Sequence, residues 1–102
     1  MIHVIASIEV VPGKREEFIA AFKKVVPAVK AEEGCLDYGP TVDVPTDIPA
    51  QGGARDNVVT IVERWENLEA LQQHLVAPHM TEYRKTVKDL VVGTNLAILE
   101  PA

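Results

Sequence analysis

The sequence predicts an α+β fold of the ferredoxin-like kind, a split βαββαβ arrangement whose antiparallel sheet carries its helices on one face. Three observations predict it. β-branched residues alternate at the N-terminus, two stretches carry apolar stripes at helical spacing, and strand-like runs flank those stretches in the required order. A chain of 102 residues has the length of one ordinary domain, so a single domain over 1–102 is expected.

Residues 2–11 place Ile2, Val4, Ala6, Ile8 and Val10 on one face of a strand and His3, Ile5, Ser7, Glu9 and Val11 on the other. Pro12 and Gly13 end it, and Phe18, Phe22, Val25 and Val29 then follow at i, i+4, i+7 and i+11, the stripe of an amphipathic helix. Pro27 lies inside that stripe, so a kink or an end before Gly34 is expected. Cys35 to Val44 reads as a second strand and Val58 to Trp65 as a third. Between them Pro45 to Asn57, with two prolines and two glycines, reads as a long loop widening a hairpin. Asn67 caps a helix bearing Leu68, Leu71 and Leu75; Pro78 opens a second piece bearing Met80, Tyr83, Val87 and Leu90. Gly93 is expected to end that helix and Thr94 to Glu100 to form the last strand. The sheet face away from the helices, with His3, Ile5 and Val11, is left uncovered, which predicts a homodimer through that face.

Composition excludes several classes. With 47 % hydrophobic and 25 % charged residues the chain is an ordinary folded one. Ten Lys and Arg against fifteen Asp and Glu give a net charge of -5 without a basic cluster, so nucleic acid is not an expected partner. A lone cysteine, Cys35, forbids an internal disulfide or a cysteine-based metal cluster and fits the reducing cytoplasm. No signal-like leader and no apolar run near the ~20 residues of a membrane span are present, so no membrane association is expected.

Three histidines are the first candidates for chemistry, because imidazole titrates near neutral pH. His3 falls on a strand at the expected inter-subunit face. His74 borders the stripe of its helix beside Leu71 and Leu75, where it can face a cavity between helix and sheet, and is the best candidate base. His79 follows Pro78 in a first helical turn, whose dipole favours the neutral ring. His74 and His79 miss the i, i+4 spacing of a two-histidine metal site, and a proline separates them, so no metal is expected. No serine sits in a nucleophile elbow, and Gly52-Gly53 precedes no helix, which removes hydrolase and nucleotide-binding readings. Trp65, Tyr38 and Tyr83 each join an apolar face to a polar handle, suited either to core packing or to a flat ring-shaped ligand. Glu63 shares the sheet face of Trp65 and needs a partner there, which Arg64 on the opposite face does not supply. Cys35 reads as a small buried residue, not a nucleophile.

Two segments, Glu32-Glu33-Gly34-Cys35-Leu36-Asp37-Tyr38 and the run from Glu63 and Trp65 through Leu71 and His74 to Pro78-His79-Met80, resemble the antibiotic biosynthesis monooxygenase superfamily, and within it the YgiN-type quinol monooxygenases. The likeness runs essentially end to end. It implies a dimeric α+β barrel, a pocket between sheet and helices, and oxidation of a quinol or related polyphenol by O2 with no cofactor. His74 would then be the base or hydrogen-bond partner of the quinol oxygen. Tyr38, Tyr83, Trp65, Leu71, His79 and Met80 would bind the substrate. Where haem-degrading relatives carry an Asn, a Trp and a His, this sequence has Ala6, His74 and Arg84, so haem is not implied. The same fold also hosts an isomerase of a phosphorylated carbonyl compound, for which Arg64, Arg84 and Lys85 are the available cations, and modules that only bind.

Overall fold

Alternation in the first strand decides which side of the sheet the helices occupy. In the computed structural model, which describes Met1–Ala102, the elements are β1 (Ile2–Val10), α1 (Arg15–Lys30), β2 (Cys35–Thr41), β3 (Val58–Trp65), α2 (Leu68–Leu75), α3 (Pro78–Val87) and β4 (Val91–Leu99). The strands form one antiparallel sheet in the order β2-β3-β1-β4. This is a ferredoxin-like α+β fold. Val4, Ala6, Ile8 and Val10 are buried towards the helices, while His3, Ile5 and Ser7 on the outer face are half-buried. The α1 stripe of Phe18, Phe22, Val25 and Val29 is wholly buried against that inner face, each side chain contributing roughly 1.5–3 kcal/mol by leaving water.

Register places the inner residues of neighbouring strands side by side. Val4, Ala6 and Ile8 face Glu63, Ile61 and Val59 of β3, and on their other side Ile98, Leu96 and Thr94 of β4. In β2 the register shifts between Cys35 and Asp37, so that Tyr38 opposes Glu63 and joins the inner face. Gly34, at φ 84°, turns the chain into β2, and its carbonyl accepts the Glu66 N–H at 2.9 Å. A Cβ at Gly34 would lie 2.5 Å from the Cβ of Ala70, so α2 packs on the glycine itself. Asn67 caps α2 through a 2.8 Å bond from the Ala70 N–H, and Pro78 occupies the first turn of α3, as expected.

Three expectations are corrected. The last helix ends at Val87 and not at Gly93; β4 starts at Val91, and Gly93 pairs with Glu9 beside a register shift, without the positive φ of a helix-capping glycine. Leu90 accordingly sits in the turn, its N–H bonded to the Val87 carbonyl at 2.8 Å. The second strand stops at Thr41, because Asp43 is turned to Arg55, which it binds through both carboxylate oxygens at 2.7 and 2.9 Å. As expected, α1 ends before Gly34: it stops at Lys30, one turn past Pro27, whose carbonyl accepts the Ala31 N–H.

Candidate active site

All four strands and all three helices contribute to a cavity of about 450 Å³ between the inner sheet face and the helices. Its floor is Ala6, Ile61 and Glu63 with Tyr38 beside them; Phe22 of α1 and Met80 and Tyr83 of α3 form the walls. His74 closes the deep end. It is one of the two buried residues of α2, three positions after Leu71 and therefore on the same side of the helix, and is 2 % exposed.

The imidazole is held from three sides. Trp65 lies against it with ring centres 4.7 Å apart, and Tyr38 meets it edge-on at 5.2 Å. Its Nδ1 is 2.9 Å from Oε2 of Glu32, in the turn that follows α1. The same oxygen lies 2.7 Å from Nε2 of His79. The break at Pro78 makes this possible, because two helices meeting at an angle bring together residues that a continuous helix would splay apart. Nδ1 donates to the carboxylate, which leaves Nε2 of His74 without a protein partner.

Glu63 is the second titratable group of the cavity, 6 % exposed, and its Oε1 accepts the indole N–H of Trp65 at 2.9 Å. Burial raises its carboxyl to about 7, reinforced by the charge of Glu32 and opposed by the Trp65 hydrogen bond. Burial also lowers the His74 imidazole, a larger effect than the opposing pull of Glu32, so the ring is neutral at pH 7. Burial raises both Tyr38 and Tyr83, keeping their hydroxyls protonated. Cys35, half-buried near Glu32, is likewise raised and is no nucleophile at neutral pH.

His74, Tyr38, Met80 and Tyr83 thus line one cavity. Trp65 stands behind His74, with its indole N–H bonded to Glu63; Leu71 belongs to the core; and His79, with 30 % of its side chain exposed, approaches Glu32 from outside. His3 lies on the outer face. Glu32 and the Glu63–Trp65 bond were not foreseen. The second had a signal in the i, i+2 spacing of two residues on one strand face; the first had none, since Glu32 and His74 are 42 positions apart. Glu32, His74 and His79 are donor types that a divalent ion accepts, with ligand atoms within 4.8 Å of one another, but two N–H groups on one carboxylate oxygen already satisfy the set.

The sequence profile described as "Antibiotic biosynthesis monooxygenase" matches residues 1–86. The chain belongs to the antibiotic biosynthesis monooxygenase family. It is 41 % identical to "Probable quinol monooxygenase YgiN" of Escherichia coli K12 over 99 % of this chain and 98 % of that one. Among solved structures it resembles a conserved protein of Methanosarcina mazei (TM-score 0.82, 25 % identity, 99 % of this chain and 92 % of that one). A second is the Rv0793 protein of Mycobacterium tuberculosis (TM-score 0.78, 26 % identity, 99 % and 94 %). As in the family as a whole, a shared fold leaves the reaction to be argued from the site.

Proposed function

We propose that this chain oxidises quinols or related polyphenols with O2, as a monooxygenase or oxidase that needs no cofactor, and that His74 is its base. One observation carries the reading: a neutral imidazole with Nδ1 tied to Glu32 presents an unbonded Nε2 at the end of a largely apolar cavity. Nε2 takes the hydroxyl proton of the quinol, and Glu32 supports the imidazolium that forms. The quinolate, a far better reductant than the quinol, passes an electron to O2. Transfer of a second electron and two protons gives quinone and hydrogen peroxide, and recombination at carbon gives a hydroxylated product with release of water. Glu63, titrating near 7, is placed to return a proton to reduced oxygen. Tyr38 and Tyr83 donate to the substrate oxygens, and Met80 with Phe22 excludes water. The relative's name supports the substrate class.

We further infer a homodimer through the outer sheet face, where Val62 and Leu99 are exposed beside half-buried Ile5; light scattering tests it, and a monomer at all concentrations would discard it. The single free cysteine supports placement in a reducing cytoplasm, which fractionation would check.

The test is O2 uptake and quinone appearance after menadiol is mixed anaerobically with the protein and then with air, against the rate without protein. Wild type should accelerate both, and His74→Ala should lose about 100-fold, the scale of a lost acid-base group. The wild-type rate should fall as pH drops below the ordinary imidazole range, because protonation removes the base. Acceleration untouched by His74→Ala would discard His74 as the base; no acceleration would discard the reaction.

A further inference from the structure

Two cations stand at the mouth of the cavity. Arg84 and Lys88 both line it and both are exposed, four positions apart and so one turn apart on the same side of the chain as α3 ends. Arg84 is anchored, its Nη2 donating to the Leu75 carbonyl at 2.7 Å, while its other guanidinium N–H groups form no bond within the protein. No carboxylate lies within ion-pairing distance of either residue. Their neighbour Lys85, which does not line the cavity, is paired with Glu82 at 3.7 Å. The rest of the mouth, Leu75, Thr94 and Leu96, carries no charge.

The carboxyl groups of the site are withdrawn from solvent. Glu63 lies in the floor, and Glu32 stands behind His74. The cavity therefore joins a buried lining of aromatic and apolar walls to an exposed rim that bears two free cations. A neutral ligand makes no use of those cations, whereas a ring carrying an anionic group is held by them. The anion is drawn to the guanidinium and ammonium, which leaves the uncharged part of the ring system to enter the cavity lined by His74.

We infer that this site takes flat aromatic substrates bearing an anionic substituent, a carboxylate, sulfonate or phosphate, held at the mouth by Arg84 and Lys88. The inference deepens the quinol reading and rests on it for the chemistry at His74. It makes the two cations specificity-determining residues that orient the reacting hydroxyl without touching it.

The experiment compares 1,4-naphthoquinone-2-sulfonate with menadione, its uncharged counterpart, by quenching of Trp65, the one tryptophan. Both reduced forms are also tested for O2 uptake. The sulfonate should bind at least ~10-fold more tightly at low salt, and that preference should shrink towards unity at about 0.5 M salt as the charges are screened. Lys88→Gln and Arg84→Gln should each reduce the preference several-fold, whereas Lys85→Gln should leave it intact. Should Arg84→Gln fail to fold for want of its bond to Leu75, Arg84→Lys and Lys88→Gln carry the comparison. Equal affinity for the two quinones, or a preference that both cation variants retain, overturns the inference. If menadiol is oxidised without any preference for the sulfonate, the quinol reading stands and this one falls. If the sulfonate is preferred but neither reduced form consumes O2 faster than buffer, the anion site stands and the quinol chemistry falls.

Discussion

Ala6 has two inward-facing neighbours that alternation alone cannot distinguish. Ile61 flanks it on β3 and Leu96 on β4, both β-strand aliphatic residues on the helix side of the sheet. Ile61 is 1 % exposed and Leu96 46 %. The same contrast recurs along the row: Val59 and Glu63 are buried on β3, while Thr94 and Ile98 are exposed on β4. The inner residues of β1 and β3, with Tyr38 of β2, are buried beneath the helices while β4 beyond Val91 is exposed, and the cavity reaches that exposed strand. Side-chain alternation fixes which face a residue points to; whether the face is covered depends on where the helices run, which is a tertiary property.

The largest expected effect is on the covered side. Ile61→Ala should cost about 2–5 kcal/mol in urea unfolding, because a side chain only 1 % exposed loses its transfer energy and its core contacts even though part of it floors the cavity. A cost under 1 kcal/mol would mean that the two halves of the inner face are packed alike, and the contrast would be lost.

Glu63 sharpens the comparison because it is a carboxylate inside the covered half. Its folded-state carboxyl lies near 7 against an ordinary 4.5, so the folded protein holds that proton more tightly than the unfolded chain. The corresponding stability is complete below about pH 4.5 and is lost as pH rises through about 7. Glu63→Gln keeps an acceptor for the Trp65 indole and removes the ionisation. It should be about 2–3 kcal/mol more stable than wild type at pH 8 and no different below pH 4.5. His74 acts in the opposite sense, its lowered imidazole costing stability as pH falls below 6.5, so the variant should show that slope unmasked. An unchanged pH dependence of the unfolding midpoint would show Glu63 to be solvated.

Legibility in the sequence follows the same division. Elements set by local chemistry were readable: the Asn67 cap, the Pro78 helix start, the α1 stripe and the alternation of β1 all stand where the residues put them. Gly93 misled because a glycine after an apolar stripe is a normal helix stop, and here it serves a strand beside a register shift. His74 could be placed at the edge of a cavity from its helical phase alone. Its partner could not, since the bond to Glu32 depends on α1 ending beside α2. The spacing argument that separated His74 from His79 assumed one continuous helix, and the Pro78 break that seemed to part them is what lets both reach one oxygen.

The smallest expected effect is the counterpart of the largest. Leu96→Ala removes the same kind of side chain from the same row, but nearly half of that side chain already meets water and part of the rest faces the cavity. In an isolated chain the cost should stay below about 1 kcal/mol, because little apolar area returns to solvent and no closed cavity forms. The measurement is a urea midpoint at several protein concentrations. A cost that stays small at every concentration supports a β4 row open to solvent. A cost approaching that of Ile61→Ala and growing with concentration would show that a second copy covers β4 from the helix side. The mouth between Arg84 and Leu96 would then be walled by the partner as well, and the apparent asymmetry of the inner face would belong to the single chain alone.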